Sequence, residues 1–418
     1  MQVMKWSVIA LAVAAGTSQM AFASQQSEAN GFVEDAKLDL LLRNAYFHRD
    51  QKDGVKDQSR WGQGFVATFE SGFTQGTIGV GVDAYGLLGI KLDTGDSRDD
   101  GGISFFGTDS NGDPYQDVAE AGAAIKFRLS NTVLKYGNQM PSMPVLSHDT
   151  TRLLPQTFTG TLLTSHEIEG LEVNAGRFTS QNDNNRAGWD SVNELNSIDV
   201  IGGTYVFTDN ISASLYYSDI EDVAEKKYGN LNYVIPLSDN QSLAFDFNIY
   251  KSEFDEQYTE TGSDEDNTIW GLAATYSVGA HSFILAHQRV SGDWGYDYDI
   301  GDGGNSIYMP NSFLSDFNFK DERSWQASYE LDFGAYGVPG LFWKTAYVRG
   351  SNIDADFYGG EGEATEREIF NQVSYVVQNG PAKDLSLKLR NSILRTNNPA
   401  WNDMNEVRVF VEYPLSIL

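Results

Sequence analysis

The chain has 418 residues, no cysteine, 29 Lys+Arg against 58 Asp+Glu, and a formal charge of -29. That balance argues against nucleic acid as a partner, because phosphate binding needs a basic surface, and the absence of cysteine removes thiolate catalysis and thiolate-held metals. A helical membrane protein is excluded as well, since a span needs about 20 apolar residues in a row and no stretch of the chain provides them.

The longest apolar stretch, Val8 to Ala15, follows Lys5 and precedes Ala21-Phe22-Ala23, which together form an export signal. Residues 1–23 are therefore expected to be a signal peptide, and 24–418 a single exported domain. Beyond it, almost no segment has a 3.6-residue apolar stripe, while many alternate with period two over about ten residues. Leu243, Phe245, Phe247 and Ile249 alternate with Ala244, Asp246 and Asn248, and Val407, Val409, Val411 and Tyr413 with Arg408, Phe410 and Glu412. The fold class is all-β.

Strands are predicted to begin near Phe32, Phe65, Gln75, Ala119, Thr132, Thr157, Leu171, Ile198, Ile211, Lys226, Gln241, Thr268, His281, Arg323, Leu341, Glu366, Leu385 and Glu406. Short turns fall around Gly72, Asn131, Gly170, Thr208-Asp209-Asn210, Ser238-Asp239-Asn240, Gly279, Gly337-Val338-Pro339-Gly340 and 378–384. Longer polar loops occupy 91–118, 139–156, 180–197, 251–267, 291–322 and 351–365. Alternating short and long connections are the pattern of an antiparallel transmembrane β-barrel, with tight periplasmic turns and long extracellular loops. Eighteen strands, an even number, put both termini in the periplasm. Closure is obligatory, because an unpaired edge is not tolerated in hydrocarbon. A secreted sandwich, β-helix or propeller also alternates, but the strand lengths match a tilted membrane crossing and no fixed repeat is visible. The 24 Phe, 21 Tyr and 8 Trp supply interfacial girdles.

A barrel of this size encloses an aqueous channel, and a plugged 22-stranded transporter needs far more chain. If Leu, Val and Ile face lipid, the positions between them line the channel. They include Lys126 and Arg128, Lys344, Lys388 and Arg390, Arg408, and, by the same parity, Arg43. Ring closure sets Arg43 beside Lys388, Arg390 and Arg408 on three adjacent strands, a basic column in an otherwise acidic chain. Such a column would draw anions inward. It would otherwise serve only to neutralise lumen carboxylates such as Glu412 and Asp246. Arg349 and Arg177 have the outward parity and are expected at the rim near lipid headgroups.

The 139–156 loop carries three prolines and apolar residues that a solvated loop does not need, so it is expected to fold inward as a constriction, with Ser147, His148, Asp149 and Arg152 at the eyelet. The 291–322 loop, with Ser312 and Asp316, is expected to supply the acidic side. The runs 93–100 and 296–302 read as solvated loops.

Catalysis is not expected: His48, His148, His166, His281 and His287 stand in no G-x-S-x-G or H-E-x-x-H setting. Asp109-Ser110-Asn111-Gly112-Asp113 with Asp117 and Glu120 imitates a calcium loop, but Pro114 stands where that loop needs glycine. Neither a metal nor a cofactor is expected.

Several stretches from end to end stand out as a set: Gly31-Phe32-Val33-Glu34-Asp35 with Leu40 to Phe47, Leu134-Lys135-Tyr136-Gly137-Asn138-Gln139-Met140-Pro141, Leu154-Pro155-Gln156-Thr157-Phe158 and Ser315-Asp316-Phe317-Asn318. They continue with Glu322-Arg323-Ser324-Trp325-Gln326, Val338-Pro339-Gly340-Leu341 and Tyr413-Pro414-Leu415-Ser416. In these stretches together the chain resembles the OprD family of outer-membrane porins. The resemblance implies an eighteen-stranded barrel of the Gram-negative outer membrane, selective for small carboxylates, organic or amino acids. It implies a ladder at Arg43, Arg128, Lys388, Arg390 and Arg408, and an acidic eyelet residue at Asp316 with Ser312 as neighbour. The 139–156 loop departs from the family pattern in lacking further basic or small residues. The expected partners are carboxylate solutes, outer-membrane lipids and lipopolysaccharide, and the expected assembly is a monomer or weak homotrimer. The competing readings are a general porin without substrate preference and a closed structural or adhesive barrel.

Overall fold

The computed structural model describes residues 24–93, 102–188, 190, 195–261, 263, 265–304 and 307–418. The export signal at 1–23 and all of the 93–100 run except Asp93 lie outside the described residues.

Eighteen strands form one sheet. In chain order they are β1 (Lys37–Gln51), β2 (Gln58–Glu70), β3 (Ile78–Lys91), β4 (Asp117–Leu129), β5 (Thr132–Gln139) and β6 (Thr157–Ile168). Next come β7 (Leu171–Asn182), β8 (Ile198–Thr208), β9 (Ile211–Ile220), β10 (Ala224–Ser238), β11 (Gln241–Phe254) and β12 (Glu265–Val278). The last are β13 (His281–Gly292), β14 (Arg323–Asp332), β15 (Leu341–Asp354), β16 (Glu363–Val376), β17 (Ser386–Thr396) and β18 (Met404–Ser416). Each pairs antiparallel with its neighbours in sequence, and β1 pairs with both β2 and β18, so the sheet closes without an edge. The fold is a closed antiparallel barrel of eighteen strands.

Period-two patterning sets the two faces. On β13, Phe283 and Leu285 are exposed on the outer wall while Ile284, Ala286, Gln288 and Val290 are buried inside; on β18 the buried set is Glu406, Arg408 and Phe410. Short turns join alternate strand pairs at one end. At the β12–β13 turn, Gly279 adopts φ +58 and donates its N–H to the Asn240 carbonyl of the neighbouring turn, at 2.9 Å. A side-chain-bearing residue would be strained there.

Two predicted strand starts shift by about five residues or more. β1 begins at Lys37 rather than near Phe32, because 24–36 forms turns under the periplasmic end: Gly72 N donates to Phe32 O at 2.8 Å and Gln26 N to Ser130 O at 3.1 Å. β2 begins at Gln58 rather than near Phe65, its polar opening being paired to β1 from Arg49 onward.

The long loops fold back into the barrel and supply its core. Val145 and Leu146 pack with Phe158, Phe178, Tyr250 and Tyr296; Leu153 and Leu154 pack with Phe47, Phe105, Phe106 and Phe410. The reading of 296–302 as a solvated loop is corrected. Tyr296 and Asp302 are buried, and Lys226 of β10, itself buried, donates to Asp302 Oδ2 at 2.6 Å and to Asp297 O at 2.5 Å. A lysine brought from another strand compensates the acidic run, which is why local polarity misreads it.

Candidate functional site

Sheet closure assembles the basic wall. Arg408 of β18 stands directly opposite Arg390 of β17 on one side and Phe47 of β1 on the other; Arg43 stands opposite Glu412. One carboxylate serves two arginines, Glu406 accepting from Arg49 Nε at 2.7 Å and from Arg408 Nε at 2.5 Å. Glu412 accepts from Arg43 Nε at 2.7 Å and lies 4.0 Å from Lys388 Nζ. Aromatic faces hold the remaining charge: Arg408 lies 4.6 Å from the Phe47 ring centre, Arg390 5.0 Å from Phe370, and Lys388 5.3 Å from Phe410.

The 139–156 loop crosses the bore. Tyr250 of β11 donates its hydroxyl to Pro144 O at 3.0 Å, and on the opposite wall Arg43 Nη1 of β1 donates to Thr150 O and Arg152 O at 3.0 and 2.9 Å. The loop is thus tethered at both sides of the barrel. Ser147 N donates to Asp302 O, and the buried Asp149 accepts from Thr151 N at 2.6 Å and Asn184 Nδ2 at 3.1 Å. These residues bind the infolded loops to one another. His148 hydrogen-bonds Pro141 O at 2.6 Å, and burial lowers its pKa, leaving the ring neutral at pH 7. Arg152 reaches the basic wall: burial, then the Arg408 charge, holds its pKa below the usual value.

Facing that wall is Asp316, on the loop between β13 and β14. It accepts from Ser312 Oγ and Tyr298 Oη. Burial raises its pKa, opposed by these two donors and then by the charges of Arg408 and Arg152, which are near enough to act on it. The Asp316 charge is in turn the first cause of a raised Tyr298 pKa. The loop is held to the wall by Glu368, whose carboxylate accepts from Leu314 N and Ser315 N at 3.1 Å, and by Glu366, which accepts from Ser315 Oγ at 2.7 Å. A cavity of about 310 Å³ runs from Trp401, in the loop before β18, down to Asp316 between Tyr298 and Phe319.

The other predicted cations are inside the barrel but apart from the wall of β17, β18 and β1. Lys126 and Lys135 both bind Asp83 at 2.5 Å, and Arg128 donates to Gln26 Oε1 at 2.9 Å and lies 4.1 Å from the Phe73 ring, near the periplasmic end. Lys344 pairs with Glu330 at 3.0 Å below the Phe313 ring. Sequence reasoning missed Arg49, Lys135 and Tyr298. The first two were detectable by the parity that found Arg43 and Lys126; Tyr298 had no signal of its own. Glu120 turns inward to Tyr85, Thr157 and Asn182, away from the Asp109 turn it would have to join in a calcium loop.

Comparison with known proteins agrees with this architecture. The family model described as outer membrane porin, OprD family, matches residues 30–417. The chain is 47% identical to Porin D of Pseudomonas aeruginosa, with 100% of each chain covered. Among solved structures it is similar to Acinetobacter baumannii OccAB1, at 40% identity and TM-score 0.90, over 94% of this chain and 100% of that one. It is also similar to Pseudomonas aeruginosa OpdK solved with vanillate, at 34% identity and TM-score 0.82, over 92% of this chain and 100% of that one. A closed eighteen-stranded barrel with a loop-narrowed bore, matched over nearly its whole length, places the chain in the OprD family: it is an outer-membrane porin of the Gram-negative type.

Proposed function

We propose that this porin admits small carboxylate-bearing solutes, moving each carboxylate along the wall of Lys388, Arg390, Arg408, Arg43 and Arg49 as it passes Arg152 and Asp316. The observation that carries the proposal is the imbalance of that wall. Five cations share two carboxylates, Glu406 and Glu412, and the surplus lies on β17, β18 and β1, across from the acidic loop. Contacts of this kind are individually weak and successive, so a solute is attracted without being trapped. The relative solved with vanillate, a carboxylate, is consistent with this chemistry. Asp316, held by Ser312 and Tyr298, favours amino acids within that class, because it offers an ammonium group a partner while the carboxylate faces the arginines. One barrel carries the whole basic wall and both infolded loops, so a monomer suffices for transport; outer-membrane lipid and lipopolysaccharide surround it.

Liposome swelling with a panel of organic acids, amino acids and uncharged sugars tests the proposal. Replacing Arg390→Glu together with Arg408→Glu is expected to slow carboxylate entry by roughly tenfold or more while leaving sugars of equal size little changed. Unchanged carboxylate entry would reject it. Rates that follow solute size alone would identify a general porin, and no swelling at all a closed barrel.

A further inference from the structure

The outer wall carries a basic feature that the passage does not use. On β13 to β17, five consecutive strands each turn an arginine outward near their extracellular ends: Arg289, Arg323, Arg349, Arg367 and Arg395. Their chain neighbours Val290, Ser324, Val348, Glu366, Glu368 and Leu394 are buried on the inner face, which fixes the arginines outside. Arg289 is directly opposite Arg323, and Arg367 is directly opposite both Arg349 and Arg395. Arg349 is opposite Trp325, two residues along β14 from Arg323, so those two arginines are diagonal neighbours. The row is unbroken.

Like charges facing each other across a strand pair destabilise it. Across the barrel the outward cations are neutralised from within the protein: Arg177 by Asp199, and Lys227 and Lys251 by Glu253. In the row, Arg395 alone has an ion-pair partner among the described residues, Asp403 at 3.6 Å. In a chain with 58 acidic residues, four adjacent guanidiniums have no ion-pair partner there among the described residues. The next outward acids on these strands are Glu363, two outward positions beyond Arg367, and Asp354 directly opposite it; they are engaged by Asn352 and by Lys320 respectively.

The height of the row identifies the missing counter-charge. One outward position closer to the periplasm on each strand lie His287, Trp325, Tyr347, Ile369 and Ile393, and Trp325, Tyr347 and Ile369 are exposed on the wall. The arginines therefore stand where the apolar belt meets the extracellular headgroups. Guanidinium is the side chain best matched to phosphate, through paired N–H donors in a planar fork.

We propose that this row is a binding site for the phosphorylated glycolipid of the outer leaflet, its headgroup phosphates bridging Arg289, Arg323, Arg349 and Arg367 while its acyl chains lie over Trp325, Tyr347 and Ile369. The site is independent of the permeation path and of the solute it selects.

The full-length barrel, refolded in detergent, is titrated with bisphosphorylated lipid A and with the same lipid enzymatically dephosphorylated, and bound lipid is counted by native mass spectrometry. The R289Q/R323Q/R349Q/R367Q variant is expected to lose roughly tenfold in affinity for the phosphorylated lipid. The wild type should show a similar drop for the dephosphorylated lipid, and the control R177Q/K227Q/K251Q should bind like wild type. Heat-modifiable gel migration and unchanged single-channel conductance establish that the variant barrels are intact. Should the quadruple variant not fold, R323Q/R349Q is expected to show a smaller loss in the same direction. Equal binding by variant and wild type, an equal loss in the control, or indifference to phosphate removal would each overturn the proposal. So would displacement of the lipid by equimolar inorganic phosphate, which would mark a simple ion site.

Discussion

Asp316 is a titratable group at the constriction whose protonation alters the charge facing the basic wall. It lies across the constriction from Arg152 and Arg408, and burial raises its pKa above the ordinary carboxylate value. Above that pKa the carboxylate offsets part of the basic charge; as pH falls through it, the group becomes neutral and the constriction gains net positive charge. Anion selectivity, read as the reversal potential across a salt gradient in a planar bilayer, is therefore expected to rise on acidification. The Asp316→Asn variant is expected to show the raised selectivity already at neutral pH and a flatter dependence on pH. If wild type and variant have parallel pH profiles, Asp316 does not face the current path. The opposing wall stays basic because Glu406 and Glu412 each serve two cations and leave Arg390 to the Phe370 ring.

The infolded loops owe their position to contacts on strands far apart in sequence. The 139–156 loop hangs between Tyr250 on β11 and Arg43 on β1, and Ser147 joins it to the 296–302 segment through Asp302 O. Removing the Tyr250 hydroxyl by Tyr250→Phe takes away two neutral hydrogen bonds, the one donated to Pro144 O and the one accepted from Tyr308 N, each worth about 1 kcal/mol, and leaves the ring packing in place. The barrel is expected to fold normally. Single-channel recordings are expected to show more frequent excursions to higher conductance, because one side of the loop is less firmly held; a trace indistinguishable from wild type would show that ring packing alone seats it. Inward folding of this loop was readable from its prolines and from Val145 and Leu146, which have no place in water. The burial of 296–302 was not, since its acids depend on Lys226, a residue of β10.

Closure governs the barrel as a unit. β1 is held by β2 on one side and by β18 on the other, the latter pairing running from Asp39 with Ser416 to Gln51 with Met404. Deleting residues 404–418 exposes two strand edges to hydrocarbon, where unsatisfied backbone groups cost several kcal/mol each. That truncation is expected to abolish the heat-modifiable band of the folded barrel on gels and all channel activity. A folded, conducting truncated form would mean that β1 and β17 reseal as a smaller ring.

Strand identity, facing and the alternation of short and long connections were all readable from local order, because a period of two and a hydrocarbon solvent on one side leave each strand little choice. Parity alone turns Arg43, Lys126, Lys388, Arg390 and Arg408 inward and Arg177 and Arg349 outward, and the barrel has each on that side. Pairing between distant segments carries no such local signature. Nothing near Glu406 announces that it will serve Arg49 as well as Arg408, nothing near Asp316 announces Tyr298, and Arg323 and Arg367 look like isolated rim charges until register sets them in line. These partners meet only when the sheet has closed and the loops have dropped into it, since their proximity depends on strand register and loop path rather than on neighbouring residues.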